Sequence, residues 1–232
     1  MYPAGFKGAA LPLTDIDVAW VGRIIGVGED EVRAVIEVET EGGGFDKQGR
    51  PKMLFEPHRF WVELGEGPKQ TRAEEQGLAY RKWGTKPYPS DSYPRLALAM
   101  QIDANAALRS ASWGLGQIMG SNHKAAGFAS AGDMVAIFCD SEPAQLEAMI
   151  RFIEAENLDD DLRRHDWSGF ARGYNGAICT ILIFIQVFRA IRAFSKDAGG
   201  RVSQRRLPSS GTLAPKMEPA PAKQGRFQIS EA

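Results

Sequence analysis

The sequence predicts a mainly α-helical α+β fold with a small β-hairpin element, and three observations support this prediction. Capping residues and apolar residues at helical spacing define two helices in the first 40 residues. Short aromatic and β-branched segments follow between residues 52 and 62, as is typical of a small hairpin. From residue 94 onwards the helical spacing returns. With 232 residues, 44% of them hydrophobic, the chain can bury a full core.

Two helices are predicted near the N-terminus. The first covers residues 15–25, with Thr14 as its N-cap and Gly26 as its end. The apolar residues that set its helical spacing are Ile16, Ala19, Trp20 and Ile24. The second helix begins at Gly28–Glu29 and ends before Gly42. Its apolar stripe consists of Val32, Val35 and Ile36.

The middle of the chain is predicted to be less regular. Residues 52–56 and 59–62 are expected to form the hairpin or irregular strands, and residues 65–94, rich in Gly, Pro and charge, a long irregular excursion. Further helices are predicted at residues 94–109, 112–120, 130–139, 142–156, 158–164 and 166–173.

The C-terminal region divides into an apolar run and a polar tail. Residues 178–188 are the most apolar stretch, but they are about half the roughly 20 residues that a membrane span needs. Because Arg189 and Arg192 follow at once, a buried helix is predicted and no stable span. Residues 195–232 are expected to be a disordered, basic tail rich in Pro, Gly and Ser, which leaves one domain over residues 1–194.

Charge and cysteine content exclude several classes of protein. The tail holds seven Lys/Arg and three Asp/Glu, a net charge of +4, so the remainder carries −5 of the total of −1. Such a body has no basic field for nucleic acid. Cys139 and Cys179 form no disulfide framework, and no metal-binding motif occurs, so neither metal nor cofactor is expected. Without a secretory signal pattern, we expect synthesis in the cytoplasm.

Glu39 is the first candidate for catalysis. On a helical wheel it continues the apolar stripe, because it follows Val35 and Ile36 by four and three residues, whereas Glu37 and Glu41 fall on the solvated face. A carboxyl group held against apolar side chains has a raised pKa, which suits a general acid near neutral pH. The alternative is a buried Glu that caps a loop or pairs with an Arg.

Two later segments carry polar side chains next to glycines. Residues 110–120 contain Ser112, Gly114 and Gln117, a mixture that suits a sugar ring and its acetamido group but also fits a plain tight turn. Tyr174 and Asn175, at the end of a predicted helix, are candidates to line a polar groove. In the alternative interpretation, Tyr174 and Asn175 only end an ordinary helix, with Gly176 in the left-handed conformation at its C-terminus.

These segments, in this order, resemble goose-type lysozymes and soluble lytic transglycosylases. The sequence is more closely similar to the phage and prophage N-acetylmuramidase family, a type of endolysin domain, over roughly residues 5 to 176. Its most specific blocks are Leu-Phe-Glu-Pro-His at residues 54–58 and Ser-Ala-Ser-Trp-Gly at residues 110–114. Further matching segments are residues 6–8, 12–14, 35–40, 42–45, 107–109 and 170–176.

The resemblance implies a lysozyme-like fold and hydrolysis of the β-1,4 bond between N-acetylmuramic acid and N-acetylglucosamine in peptidoglycan. Glu39 matches the position of the family's acid, and Glu56 is the first candidate for a base that activates water. Glu56 can instead pair with Arg59 or orient His58. His58 itself is expected to support the site by hydrogen bonding. Peptidoglycan glycan strands are the expected partner, and the protein is expected to be a monomer.

The chain departs from the family's usual sequence after Gly176, where an expected tyrosine is missing. Divergence and a shifted reading frame are the two hypotheses for this change. Two alternatives to muramidase activity therefore stay open. One is a lytic transglycosylase that forms 1,6-anhydromuramic ends, and the other is a wall-binding remnant without catalytic activity.

Overall fold

The computed structural model describes residues 2–39 and 43–175. This part of the chain forms nine α-helices, three short β-strands and two 3-10 turns. In chain order the helices and strands are α1 (Asp15–Ile25), α2 (Glu29–Glu39), β1 (Met53–Phe55), α3 (Pro57–Leu64), α4 (Pro68–Glu75), α5 (Tyr93–Arg109), β2 (Ala111–Trp113), β3 (Ile118–Met119), α6 (Ala131–Phe138), α7 (Glu142–Ala155), α8 (Asp159–Arg163) and α9 (Trp167–Asn175).

Helix α1 has the predicted bounds, because its two ends are fixed by local chemistry. The Thr14 hydroxyl accepts a hydrogen bond from the Asp17 amide, and the Asp17 carboxylate accepts one from the Thr14 amide. Gly26 ends the helix in the left-handed conformation, with φ of 71°. Helix α2 likewise begins at Glu29 and buries Val32 and Val35.

The residues that predicted α1 do not face the core. Ile16, Trp20 and Ile24 are 79%, 62% and 48% exposed. A second apolar row on the same helix is buried instead, and it consists of Val18, Val21 and Ile25. Helical spacing therefore identified the helix, but its two apolar rows are equivalent in sequence, and only tertiary packing selects one of them.

The sheet is antiparallel with strand order β1-β2-β3. Met53, Leu54 and Phe55 pair with Trp113, Ser112 and Ala111, and β2 continues through a tight turn into β3. The small β element is thus confirmed, but its hairpin is β2–β3. The prediction of a helix over residues 112–120 is wrong, because pairing with the distant strand β1 holds residues 111–113 extended.

Two predictions in the middle of the chain also need correction. Residues 59–62 lie in helix α3 and form no strand, because Pro57 occupies the first helical turn and Phe60 buries its side chain on the core side. The excursion over residues 65–94 contains helix α4, which again starts at a proline, Pro68. The downstream helices α5 to α9 agree with the predicted ranges within two residues at each end.

The core lies between the sheet and helices α3, α5, α6 and α7. Its largest fully buried side chains include Trp113, Phe55, Phe60 and Phe138. Burial of each such side chain stabilises the fold by about 1.5–3 kcal/mol. The Trp113 indole N–H also donates to the Leu108 carbonyl oxygen over 3.0 Å, so its one polar atom is satisfied.

Two C-terminal predictions fall outside the described residues. These are the buried helix over residues 178–188 and the basic tail over residues 195–232. Within residues 2–39 and 43–175, no helix combines the length and the apolar character that crossing a membrane requires.

Candidate active site

One face of the sheet carries two of the predicted site residues, Ser112 and Glu56. Partners in an antiparallel pair point to the same face, so Leu54, Ser112 and Met119 share a face. Alternation along the extended chain places Lys52 and Glu56 on that face as well. The other face is buried against the core through Phe55 and the rings around it. Ser112 and Glu56 therefore lie on the face opposite Phe55.

An open cleft of about 510 Å³ lies beside the sheet, and of the predicted site residues Gln117 lines it. Its walls are polar and carry both signs of charge. The lining residues are Asp46, Lys47, Gln48, Arg50, Lys52, Met53, Leu54, Ser90, Asp91, Ser92, Tyr93 and Gln117. Arg50 connects the wall that contains Asp46 to the wall that contains Asp91 and Tyr93. Its guanidinium lies 2.7 Å from Asp46, 3.3 Å from Asp91 and 3.9 Å above the ring of Tyr93.

The side chain of Gln117 lines this cleft and is held by hydrogen bonds to Ser112 and Gly114, the two residues predicted together with it. Its Oε1 accepts from the Ser112 hydroxyl over 2.9 Å, and its Nε2 donates to the Gly114 carbonyl over 2.9 Å. Its backbone φ of 45° lies in the left-handed region, which is unfavourable for a residue with a side chain. A strained residue held by specific hydrogen bonds is typical of a functional site. The structure thus brings Ser112, Gly114 and Gln117 together.

Tyr174 contacts the same turn from helix α9. Its hydroxyl donates to the Gly116 carbonyl over 2.7 Å, and its ring stacks on Phe170 and meets Phe152 edge-on. A Cβ atom at position 116 would lie 2.8 Å from that hydroxyl oxygen, so only glycine fits. Asn175 is the last residue of α9, and its side chain lies outside the described part of the chain.

Glu56 lies at the end of β1, where helix α3 begins. Its amide donates to the Ser110 carbonyl over 2.9 Å, which fixes its backbone to the start of β2. The Tyr88 hydroxyl donates a hydrogen bond to its Oε2. His58 Nδ1 lies 3.2 Å from the same oxygen, at an ion-pair distance without hydrogen-bond geometry. Glu56 and His58 are therefore neighbours, as one of the sequence alternatives expected.

The environment of this cluster changes the pKa of two of its members. Burial lowers the pKa of His58, and the nearby Arg59 charge lowers it further, while Glu56 opposes both effects. Burial raises the pKa of Tyr88, and the hydrogen bond to Glu56 raises it further. The raised pKa keeps the proton on the Tyr88 hydroxyl at neutral pH, where it donates to Glu56.

Glu39 is the last residue of helix α2. Its side chain lies outside the described part of the structure, so its predicted inward orientation stays a prediction. The chain is described again from Gly43, and the Gly44 carbonyl accepts from the Lys52 amide over 2.7 Å. The Lys52 carbonyl in turn accepts from the Gly114 amide over 2.8 Å. The segment after α2 therefore joins the edge of the cleft-bearing sheet.

Tyr88 carries no sequence signal that would place it beside Glu56. It lies in an irregular Lys-Pro-Tyr-Pro segment, residues 86–89, which has no periodicity to place its side chain. Among the described residues there is no cluster of three His, Cys, Asp or Glu side chains that could hold a metal ion.

The helical body, the three-stranded sheet and the cleft define a lysozyme-like α+β domain. A sequence model of the N-acetylmuramidase family matches residues 29–182, about two thirds of the chain, and so extends slightly past Gly176. The chain belongs to this family, and its activity class is that of the peptidoglycan hydrolases.

A solved structure supports the same assignment. The crystal structure of the Burkholderia AP3 phage endolysin is similar to this chain with a TM-score of 0.70 and 35% sequence identity. The aligned region covers 83% of this chain and 75% of the endolysin chain. No curated protein sequence matches the chain significantly.

Proposed function

We propose that this protein hydrolyses the β-1,4 bond between N-acetylmuramic acid and N-acetylglucosamine, with Glu39 as the general acid. The observation that carries the proposal is the clamped Gln117 in the cleft. Its amide is held by Ser112 and Gly114 in a strained backbone conformation beside a polar groove. A fixed amide in an open groove suits the hydroxyl and acetamido groups of a glycan strand.

Glu39 is proposed as the acid because of its position at the end of α2. The carbonyl end of a helix carries a partial negative charge, which favours the neutral, proton-carrying form of a nearby carboxyl group. No basic residue occupies the last turn of α2 to oppose this effect. A protonated Glu39 would donate its proton to the glycosidic oxygen as the bond lengthens toward an oxocarbenium-like state.

Glu56 is proposed as the carboxylate that activates water. It follows β1 on the same face of the sheet as Leu54 and Ser112, and it accepts the hydrogen bond that Tyr88 donates. A carboxylate held by a neutral donor keeps a fixed orientation, as a general base requires. Inverting glycosidases place their two carboxyl groups roughly 6.5–9.5 Å apart, which leaves room for the attacking water.

Tyr174 and Asn175 are proposed to bind the glycan on the far side of the Gln117 turn. Tyr174 already contacts Gly116 through its hydroxyl, so its ring edge borders the same turn. Together with Ser112, Gly114 and Gln117, these residues would orient the sugar next to the acid. Correct orientation lowers the barrier because the reacting groups start close to their transition-state geometry.

Mass spectrometry of the muropeptides released from purified peptidoglycan tests this proposal. Hydrolysis gives saccharides with reducing ends, and N-acetylmuramic acid at the reducing end identifies the cleaved bond. Products with 1,6-anhydro ends would instead identify a lytic transglycosylase. Binding to peptidoglycan without release of soluble fragments would identify a wall-binding protein and would contradict the proposal.

A further inference from the structure

The first turn of helix α7 holds the segment that follows α2. Glu142, the first residue of α7, accepts two backbone hydrogen bonds from distant parts of the chain. Its Oε1 accepts from the Gly44 amide over 2.6 Å, and its Oε2 accepts from the Leu13 amide over 2.7 Å. A carboxylate is suited to this task because both of its oxygens accept hydrogen bonds, and its charge strengthens them.

One turn further along α7, Gln145 holds the neighbouring segment. This side chain is fully buried, and its Oε1 accepts from the Leu115 amide over 2.7 Å while its Nε2 donates to the Phe138 carbonyl over 2.7 Å. A Cβ atom at Gly44 would lie 2.0 Å from the Gln145 Oε1, and one at Gly114 would lie 2.8 Å from its Cδ. Both glycine segments are therefore packed directly against this one side chain.

We infer that Glu142 is a positioning residue for the general acid. The inference rests on the proposed role of Glu39. Through the Gly44 amide, Glu142 anchors the chain five residues after Glu39, while Gln145 anchors the turn that carries Gln117. One helix end thus holds both Gly44, five residues after the proposed acid, and the turn that carries Gln117.

This role predicts a specific kinetic effect. When Glu142 is lost, Gln117 and Tyr174 keep their own hydrogen bonds, so substrate binding persists. Gly44, in contrast, loses its side-chain acceptor, so the chain after Glu39 is held less firmly and the proposed acid is displaced from the glycosidic oxygen. Because small displacements of reacting groups lower the rate strongly, we expect kcat to fall by roughly 10- to 100-fold with little change in KM.

The test compares three variants of the full chain on soluble peptidoglycan fragments. Glu142→Gln keeps the side-chain volume but replaces one acceptor oxygen with an NH₂ group, which faces a backbone N–H. Glu147→Gln removes a carboxylate from the exposed part of the same helix, where Glu147 pairs with Arg151. Ser141→Ala removes the N-cap of α7, whose hydroxyl accepts from the Ala144 amide, and leaves the Glu142 contacts in place.

We expect Glu142→Gln alone to lower kcat at nearly constant KM and to speed hydrogen exchange of the Gly44 amide. Parental kcat in Glu142→Gln, with Glu39→Gln inactive, would overturn the inference and leave the proposed function intact. An equal loss of kcat in Ser141→Ala would show a general effect of α7 stability and would also overturn it. Activity in Glu39→Gln would instead contradict the proposed function.

A second variant covers the case that Glu142→Gln does not fold. Glu142→Asp keeps the charge at the start of α7 but is one methylene shorter, so its carboxylate cannot reach both amides. We expect the same fall in kcat at nearly constant KM. Parental kcat in this variant would overturn the inference.

Discussion

The Tyr88 hydroxyl donates a hydrogen bond to Oε2 of Glu56, 32 residues away in the chain. This contact joins the irregular segment before α5 to the end of strand β1. The same segment continues into Ser90, Asp91 and Ser92, which line the cleft. The hydrogen bond of Tyr88 therefore connects the segment that lines one wall of the cleft to Glu56, the proposed base.

Tyr88→Phe is expected to lower activity while the protein stays folded. The substitution keeps the ring and removes the donor, so Glu56 loses a fixed orientation. We expect turnover to fall by roughly tenfold, which corresponds to the loss of about one hydrogen bond. The control is Tyr80→Phe, whose hydroxyl interacts electrostatically with Tyr88 but donates no hydrogen bond to Glu56. Parental turnover in Tyr88→Phe would contradict a role for this contact.

His58 is expected to make stability depend on pH. Its pKa in the folded protein is lowered from the ordinary value of 6.5, mainly by burial. Because the unfolded chain then binds the proton more readily, the free energy of unfolding decreases as the pH falls below about 6.5. Urea unfolding at about pH 7 and about pH 5 should show a smaller decrease in His58→Gln than in the parent. Equal decreases would mean that the pKa of His58 is not lowered.

Two substitutions of Gln117 separate its chemical role from its backbone strain. Gln117→Gly and Gln117→Ala both remove the amide, but only glycine adopts a φ of 45° without strain. We expect Gln117→Ala to be about 1 kcal/mol less stable than Gln117→Gly. Both should lose roughly tenfold in kcat/KM. If Gln117→Gly retained parental activity in a soluble-fragment assay, the amide would have no part in glycan binding.

Most of the helices could be predicted from sequence because their ends are chemically marked. Thr14 and Gly26 set the bounds of α1, and the serines at positions 130 and 141 cap α6 and α7. The start of helix α3 is also marked in the sequence. Pro57 in its first turn marks a helix start and excludes the central part of a strand.

The sheet could not be predicted in full because its pairing is not local. Strand β2 pairs with β1, which lies more than fifty residues earlier, and each strand has only two or three residues. Segments this short have no measurable period, so residues 112–120 fit a helix as well as a strand and turn.

The contacts of the candidate site also fall into local ones, which the sequence predicts, and non-local ones, which it does not. Ser112, Gly114 and Gln117 were predicted as a group because they are neighbours in one block, and their mutual hydrogen bonds are local. Tyr88 bonds to Glu56, and Glu142 bonds to the Gly44 amide, from distant segments, and nothing in the adjacent sequence indicates these contacts. Hydrogen bonds within one block could therefore be predicted from the sequence, whereas contacts between distant segments could not.

The most direct measurement of the central claim is the turnover of Glu39→Gln on purified peptidoglycan, compared with Glu37→Gln. The substitution of Glu39 removes the proton donor with little change in volume, so the release of reducing ends should fall by about 100-fold or more, while circular dichroism shows an intact fold. Glu37→Gln, on the predicted solvated face of the same helix, should retain parental turnover. Retained turnover in Glu39→Gln, or an equal loss in Glu37→Gln, would contradict the account.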